Sequence, residues 1–242
     1  MLNFLSAISF LTILPVPARA ISADGKQVLY FPLVGLIIGS LLYGIDYLLS
    51  FTQYTELRIV GDVLFLAIIS GALHLDGLAD AADGFFSHRP KEQILEIMKD
   101  SRIGVMGVLA LLFCVLLKVA GVTGIIQSES LIWLILAPAL GRVAQVISLI
   151  FVEHVPSERT LAGQFYQQGK YFLLLFCPLP FAIIFYLNWQ LALISLALFT
   201  ILLVGLLFFF KNKIGGITGD TIGATTEIIE TAFLLVGGSL AL

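Results

Sequence analysis

Long apolar runs separated by short polar loops set the pattern of this chain. The runs at 28–50, 103–126, 131–152 and 190–210 each suit a membrane-spanning helix, which needs about 20 apolar residues. Two further spans are expected at 60–78 and 170–187, and a last apolar run reaches Leu242. Residues 2–14 are apolar but too few to span comfortably. They read as an interfacial or re-entrant helix stopped by Pro15 and Pro17. Residues 85–100 alternate differently: Phe85, Phe86, Ile94, Leu95, Ile97 and Met98 oppose His88, Lys91, Glu92, Glu96 and Lys99. That is the pattern of an amphipathic helix lying on the membrane surface. Gly35, Gly39, Ser40 and Gly44 recur at roughly helical spacing in the first long span and allow close helix packing. Pro178 and Pro180 predict a kink in the fifth span, and Asn188-Trp189 a short turn into the sixth.

Composition agrees with this pattern. Of 242 residues, 59% are hydrophobic and 12% charged, and mean hydropathy is +1.04; soluble domains carry about 25% charged residues. The fold class expected is all-α: a polytopic integral membrane bundle of about six or seven transmembrane helices, with the N-terminal short segment and the surface helix added. No linker or repeat divides residues 1–242, so one domain is expected. No basic run points to nucleic acid. Cys114 and Cys177 stand alone in apolar runs and have no metal or redox spacing. The N-terminus lacks the basic region of a cleaved signal peptide.

Basic residues orient the chain. Arg19, Lys26, Arg89, Lys91, Lys99, Arg102, Arg159, Lys170, Lys211 and Lys213 fall in loops of one parity, and Arg58 alone in the other. The positive-inside rule places the first group in the cytoplasm.

The candidate chemistry gathers on that same side. The stretch H-L-D-G-L-A-D-A-A-D-G carries Asp76, Asp80 and Asp83 at i, i+4, i+7, within roughly 60° of one another on a helix. Such a cluster repels itself and needs a cation, a proton or open water. It is followed by M-K-D-S-R-I-G, with Lys99, Asp100 and Arg102, and much later by G-G-I-T-G-D-T-I-G-A-T-T-E-I-I-E, with Thr218, Asp220, Glu227 and Glu230. Clustered carboxylates suit Mg²⁺, which is commonly held by a few carboxylates plus substrate phosphates. Nearby Arg and Lys complete a diphosphate site, so phosphoryl or nucleotidyl transfer is the chemistry expected. His74 reads as a packed histidine, and His88 and His154 as solvated ones. Arg142, within the fourth span, reads equally as a snorkelling or acid-paired residue and as a ligand contact.

These three motifs, in this order, resemble the cobalamin synthases, the adenosylcobinamide-GDP ribazoletransferases. The opening S-F-L-T-I-L-P-V-P and Y-F-P-L-V-G-L-I-I-G are similar to that family's opening too, so the resemblance covers nearly the whole chain. It implies a bacterial inner-membrane enzyme of late cobalamin synthesis, multi-pass and surrounded by membrane lipid, with its site on the cytoplasmic side. Such an enzyme joins adenosylcobinamide-GDP to α-ribazole or α-ribazole 5′-phosphate and releases GMP with Mg²⁺. Homo-oligomerisation is left open. On this resemblance Asp76, Asp80 and Asp83 are expected as metal ligands, with Asp83 or Asp100 as general base. Lys99, Arg102 and Arg142 are expected at the diphosphate, and Thr218, Asp220 and Glu227 closing the site. Gly77 and Gly84 would admit a helix or a phosphate. The amphipathic segment 85–100 and the 153–169 loop are the surfaces considered for the corrin ring.

Three other readings compete. CDP-alcohol phosphotransferases use a D-G-x-x-A opening, but there the residue after Ala is Arg, whereas this chain reads D-G-L-A with Asp80 next, and their later aspartates are more widely spaced. A cation transporter would carry acids at mid-membrane depth in several spans, whereas here the charge concentrates at one face. A non-catalytic scaffold has no need of two acidic motifs on one face.

Overall fold

The computed structural model describes residues 2–17, 25–155 and 170–240. Arg19, Asp24, Arg159 and most of the 153–169 loop lie outside the described residues. Ten α-helices follow in chain order among those described: α1 Leu2–Leu11, α2 Phe31–Ser50, α3 Thr55–Ile69, α4 Leu73–Phe85, α5 Lys91–Ile97, α6 Val105–Gln127, α7 Ile132–Phe151, α8 Pro178–Leu187, α9 Trp189–Ile214 and α10 Gly219–Ser239. The fold is an all-α bundle.

Four helical stretches are long and apolar enough to cross a membrane: Lys26–Ser50, Val105–Gln127, Ile132–Phe151 and Trp189–Ile214. The bent pair α3 and α4 makes a fifth if it is taken as one span. Length and apolarity therefore support four or five spans among the described residues, fewer than the six or seven read from the runs.

Three departures from the sequence reading have local causes. The run at 60–78 is broken: Gly71 and Ala72 both adopt φ +59°, which no α-helix continues through, and α3 and α4 meet at 85°. The amphipathic segment 85–100 is helical only over Lys91–Ile97, because Phe85 ends α4 and Pro90 stands extended at the N-cap of α5. The expected kink at Pro178 and Pro180 is instead a helix start. Pro178 takes the first position of α8, where its missing N–H costs nothing, after a 3₁₀ turn at Tyr171–Leu174. The Asn188 turn is as expected: its side-chain oxygen accepts the Leu191 N–H at 3.0 Å and caps α9.

Small residues set the packing. Gly35 and Gly39 of α2 press on the α7 backbone at Pro138–Ala139 and at Ile135, as their spacing predicts, whereas Gly44 faces open space. The centre of the bundle is α10, which packs against α4, α6 and α7. Gly141 of α7 meets Thr226, and Gly121 and Gly124 of α6 meet Leu234 and Gly238. Each contact brings backbones together where a side chain would hold them apart.

Candidate functional site

The site starts from α4. Its N-terminal half packs on α10 through two glycines: Gly77 lies against the Asp220 backbone, and Gly223 against His74 and Gly77. Its C-terminal half packs on α5, where Gly84 admits Met98 and Ile94. Both Gly77 and Gly84 thus admit helices. Between these contacts, Asp76 and Asp80 line a cavity of about 590 Å³ together with Lys99, Asp100 and Ser101, closed on the apolar side by Met98, Leu111 and Val115. The electrostatic neighbours of Asp80 are Asp76, Asp220 and Asp83, in that order. Asp220, from the far end of the sequence, reaches the same negative region and feels Asp76 in turn. Asp76, Asp80, Lys99, Asp100 and Asp220 are therefore brought together.

Asp100 is clamped. Arg102 donates to both its oxygens, through Nε at 3.0 and 3.2 Å and Nη2 at 2.7 Å, and the Arg102 backbone N–H adds a bond at 3.0 Å. This holds the Asp100 carboxyl down at about 2. A carboxylate so weakly basic is a poor proton acceptor, which weighs against the general-base assignment. Arg102 is largely exposed at the rim of the site.

Asp83, Arg142 and Glu227 are engaged elsewhere, while Thr218 stands beside Asp220 and donates its hydroxyl to Asp220 Oδ2 at 3.4 Å. Asp83 turns from the cavity toward α6: one oxygen accepts the Gly104 N–H at 2.7 Å, the other the Gly107 N–H at 2.8 Å. These are two of the donors a helix start leaves unpaired, and a negative charge there complements the helix dipole. Thr218 is the N-cap of α10 in a reciprocal capping box, with Thr221 N–H to Thr218 Oγ1 at 3.3 Å and Thr218 N–H to Thr221 Oγ1 at 2.8 Å. Arg142 and Glu227 are buried inside the bundle. Lys118 Nζ pairs with Glu227 at 2.7 Å and with Glu230 at 2.6 Å, and Arg142 pairs with Glu230. The acid-paired alternative for Arg142 is the one observed. His74 is buried, with Nε2 2.7 Å from the Gln145 amide nitrogen. His154 is half-buried, and its backbone pairs with Ile217 in an isolated bridge that joins the end of α7 to the start of α10.

Sequence reading gave no role to Lys118, Asp46 or Asp62. Lys118 is a single cation in the apolar run 103–126, and such a charge demands an internal partner. That demand was the available signal. Asp46, 1% exposed, takes Arg58 in a two-bond ion pair at 2.9 Å, with buried Asp62 beside them. This cluster joins the C-terminal end of α2 to the start of α3.

Among the described residues no three His, Cys, Asp or Glu side chains form a ready metal cage. The donors present are nevertheless hard carboxylate oxygens at an open cavity. This fits Mg²⁺, which is usually bound through one or two carboxylates with substrate phosphates supplying the rest.

The model of the cobalamin-5-phosphate synthase family matches residues 3–238. An adenosylcobinamide-GDP ribazoletransferase of Desulforamulus reducens is 39% identical, covering 96% of this chain and 95% of its own length. Those of Acinetobacter baumannii and Thermoanaerobacter sp. are 38% and 35% identical, covering 97% and 98% of this chain and 96% of each relative. No solved structure matches. With a family match from one end to the other and relatives aligned over nearly their whole length, this chain belongs to the cobalamin-5-phosphate synthase family.

Proposed function

We propose that this chain is the membrane transferase that joins adenosylcobinamide-GDP to α-ribazole or its 5′-phosphate, giving adenosylcobalamin or its 5′-phosphate and GMP. The observation that carries the reading is the meeting of α4, the segment after α5 and α10 at one cavity, with Asp76, Asp80, Lys99 and Asp100 on its wall and Asp220 beside it. Those are the three motifs that carry the family resemblance, folded to one place.

The chemistry is an in-line displacement. The 3′-hydroxyl oxygen of the ribazole bonds to the phosphorus attached to cobinamide, and the bond from that phosphorus to the GMP oxygen breaks. Lys99, exposed at the cavity, faces the diphosphate and offsets charge developing on the leaving GMP. Arg102 stands behind it, orienting Asp100. Asp76 and Asp80 make no ion pair among the described residues, and one of them takes the hydroxyl proton. One or two of the carboxylates Asp76, Asp80 and Asp220 would hold Mg²⁺ together with the substrate phosphates, and the ion would supply charge neutralisation on the phosphate oxygens. The site faces the cytoplasm of a bacterium, by the distribution of basic loops.

The test uses purified protein in lipid nanodiscs, adenosylcobinamide-GDP, α-ribazole 5′-phosphate and Mg²⁺. GMP release matched by a cobalamin product is expected. Stable, inserted protein that releases no GMP with either form of ribazole counts against the reading. In cells, the chain is expected to restore corrinoid-dependent growth to a strain lacking its ribazoletransferase.

A further inference from the structure

The interior of the bundle holds a second set of charges that the proposed reaction does not use. Lys118 of α6, Arg142 of α7, and Glu227 and Glu230 of α10 are each at most 4% exposed. Lys118 bridges the two glutamates, and Arg142 takes Glu230 and also donates to the Pro138 carbonyl at 3.3 Å. Cys114 Sγ lies 3.6 Å from Glu227 Oε2 and 3.5 Å from Thr231 Oγ1, closing the cluster on the α6 side. Two cations meet two anions, so no charge is left over to attract a ligand.

From this cluster we infer that Lys118, paired to both glutamates of α10, is a positioning residue, which fixes where α10 sits along its axis and so where Asp220 meets Asp76 and Asp80. The inference rests on the proposed reaction for its catalytic readout. Glycine contacts at Gly77, Gly121, Gly124 and Gly141 set how closely α10 approaches its neighbours. Such smooth surfaces resist sliding weakly. Ion pairs from two helices to glutamates one turn apart resist it strongly, because a shift leaves a desolvated charge unpaired. Glu227 and Glu230 lie seven and ten residues beyond Asp220, about 10 and 15 Å along the helix at 1.5 Å per residue. They act through α10 and do not touch the reacting atoms.

The test compares Lys118→Met, Lys118→Arg and the charge-balanced pair Lys118→Met with Glu227→Gln. All are purified in nanodiscs and assayed for kcat, for KM of each substrate, and for Mn²⁺ binding by EPR without substrate. Lys118→Met is expected to lose about tenfold or more in kcat and in Mn²⁺ affinity, with both KM values within about twofold. Lys118→Arg, which keeps the charge, is expected to recover most of both. The double variant leaves Arg142 with Glu230 and keeps the fold, so it reads the effect even where the single variant unfolds. Wild-type kcat and Mn²⁺ affinity in the folded double variant overturn the inference. So does a KM for adenosylcobinamide-GDP raised about tenfold at unchanged kcat, which would mean direct substrate contact. A wild-type protein that binds Mn²⁺ but turns over nothing counts against the proposed reaction, while the Mn²⁺ comparison still decides the role of Lys118.

Discussion

Gly77 of α4 lies against Asp220 of α10 so closely that a Cβ at position 77 would stand 2.9 Å from the Asp220 carbonyl oxygen and 3.0 Å from its Cα. Two acidic motifs more than half the chain apart meet through a missing side chain. Gly77→Ala gains helix propensity of up to about 1 kcal/mol, yet the added methyl meets backbone, which cannot swing aside. The expected result is a separation of the two helices and a turnover lowered about tenfold or more, measured as GMP release. Gly44→Ala is the control: nothing lies within 4 Å of its Cβ, so it is expected to raise thermal stability slightly and leave turnover alone.

Asp76 and Asp83 differ by seven residues and share a helical face, yet they are expected to fail differently. Asp83 ties down two backbone N–H groups at the start of α6. Asp83→Ala removes a helix cap and is expected to cost about 1–2 kcal/mol of stability, seen as a lowered Tm in detergent. Asp76 is exposed at the cavity and has no such duty. Asp76→Asn is expected to abolish turnover while Tm stays within error. Equal Tm losses in both variants would remove the distinction.

The carboxylates of α4 were legible because charge at the end of an apolar run is conspicuous and i, i+4, i+7 spacing fixes a common face. What each carboxylate does was not legible, since that depends on partners the sequence does not place. The Asp83 acceptors bind amides 21 and 24 residues on. The partners of Glu230 lie 112 and 88 residues back, in Lys118 and Arg142. A charge inside a span announces that it needs a partner, but the same signal is given by a substrate contact and by an ion pair between helices. For that reason Arg142 reads equally as a diphosphate contact and as an acid-paired residue, and Glu227 as closing the site, while both lie in the bundle interior. The break between α3 and α4 is local in origin: Gly71 and Ala72 turn left-handed and bond back to Ile68 and Ala67 at 2.8 and 2.9 Å, a glycine-ended helix stop that the apolar run 60–78 masks.

Arg58 offers a stability effect without a catalytic one. Its guanidinium makes two bonds to buried Asp46 at 2.9 Å, near buried Asp62. Arg58→Gln leaves two desolvated carboxyl groups with no cation. Removing one partner of a buried pair costs about 3–5 kcal/mol, and the 18% exposure of the Arg58 side chain places this case at the low end. A clearly lowered Tm is expected, with normal kcat per folded molecule, because the pair joins α2 to α3 and contributes nothing to the cavity wall. A folded variant with much reduced kcat would mean that this end of α3 governs the site.

Metal removal separates the cavity carboxylates from one another. Chelation by EDTA is expected to stop GMP release, and Mg²⁺ in excess to restore it. Full activity after complete chelation would remove the metal from the proposed reaction. Asp80 lies among three other acids, so Asp80→Asn deletes a ligand but also relieves repulsion. It is expected to raise the Mg²⁺ concentration needed for half-maximal rate while the folded protein becomes no less stable. Asp100→Asn acts differently, because Arg102 loses the charge that holds it. With that guanidinium released at the rim of the cavity, the change is expected in the KM for adenosylcobinamide-GDP, and the Mg²⁺ requirement is expected to stay where it was. A Mg²⁺ requirement that shifts equally in both variants would show that Asp100 is itself a ligand, with Arg102 only its counter-ion before the metal binds.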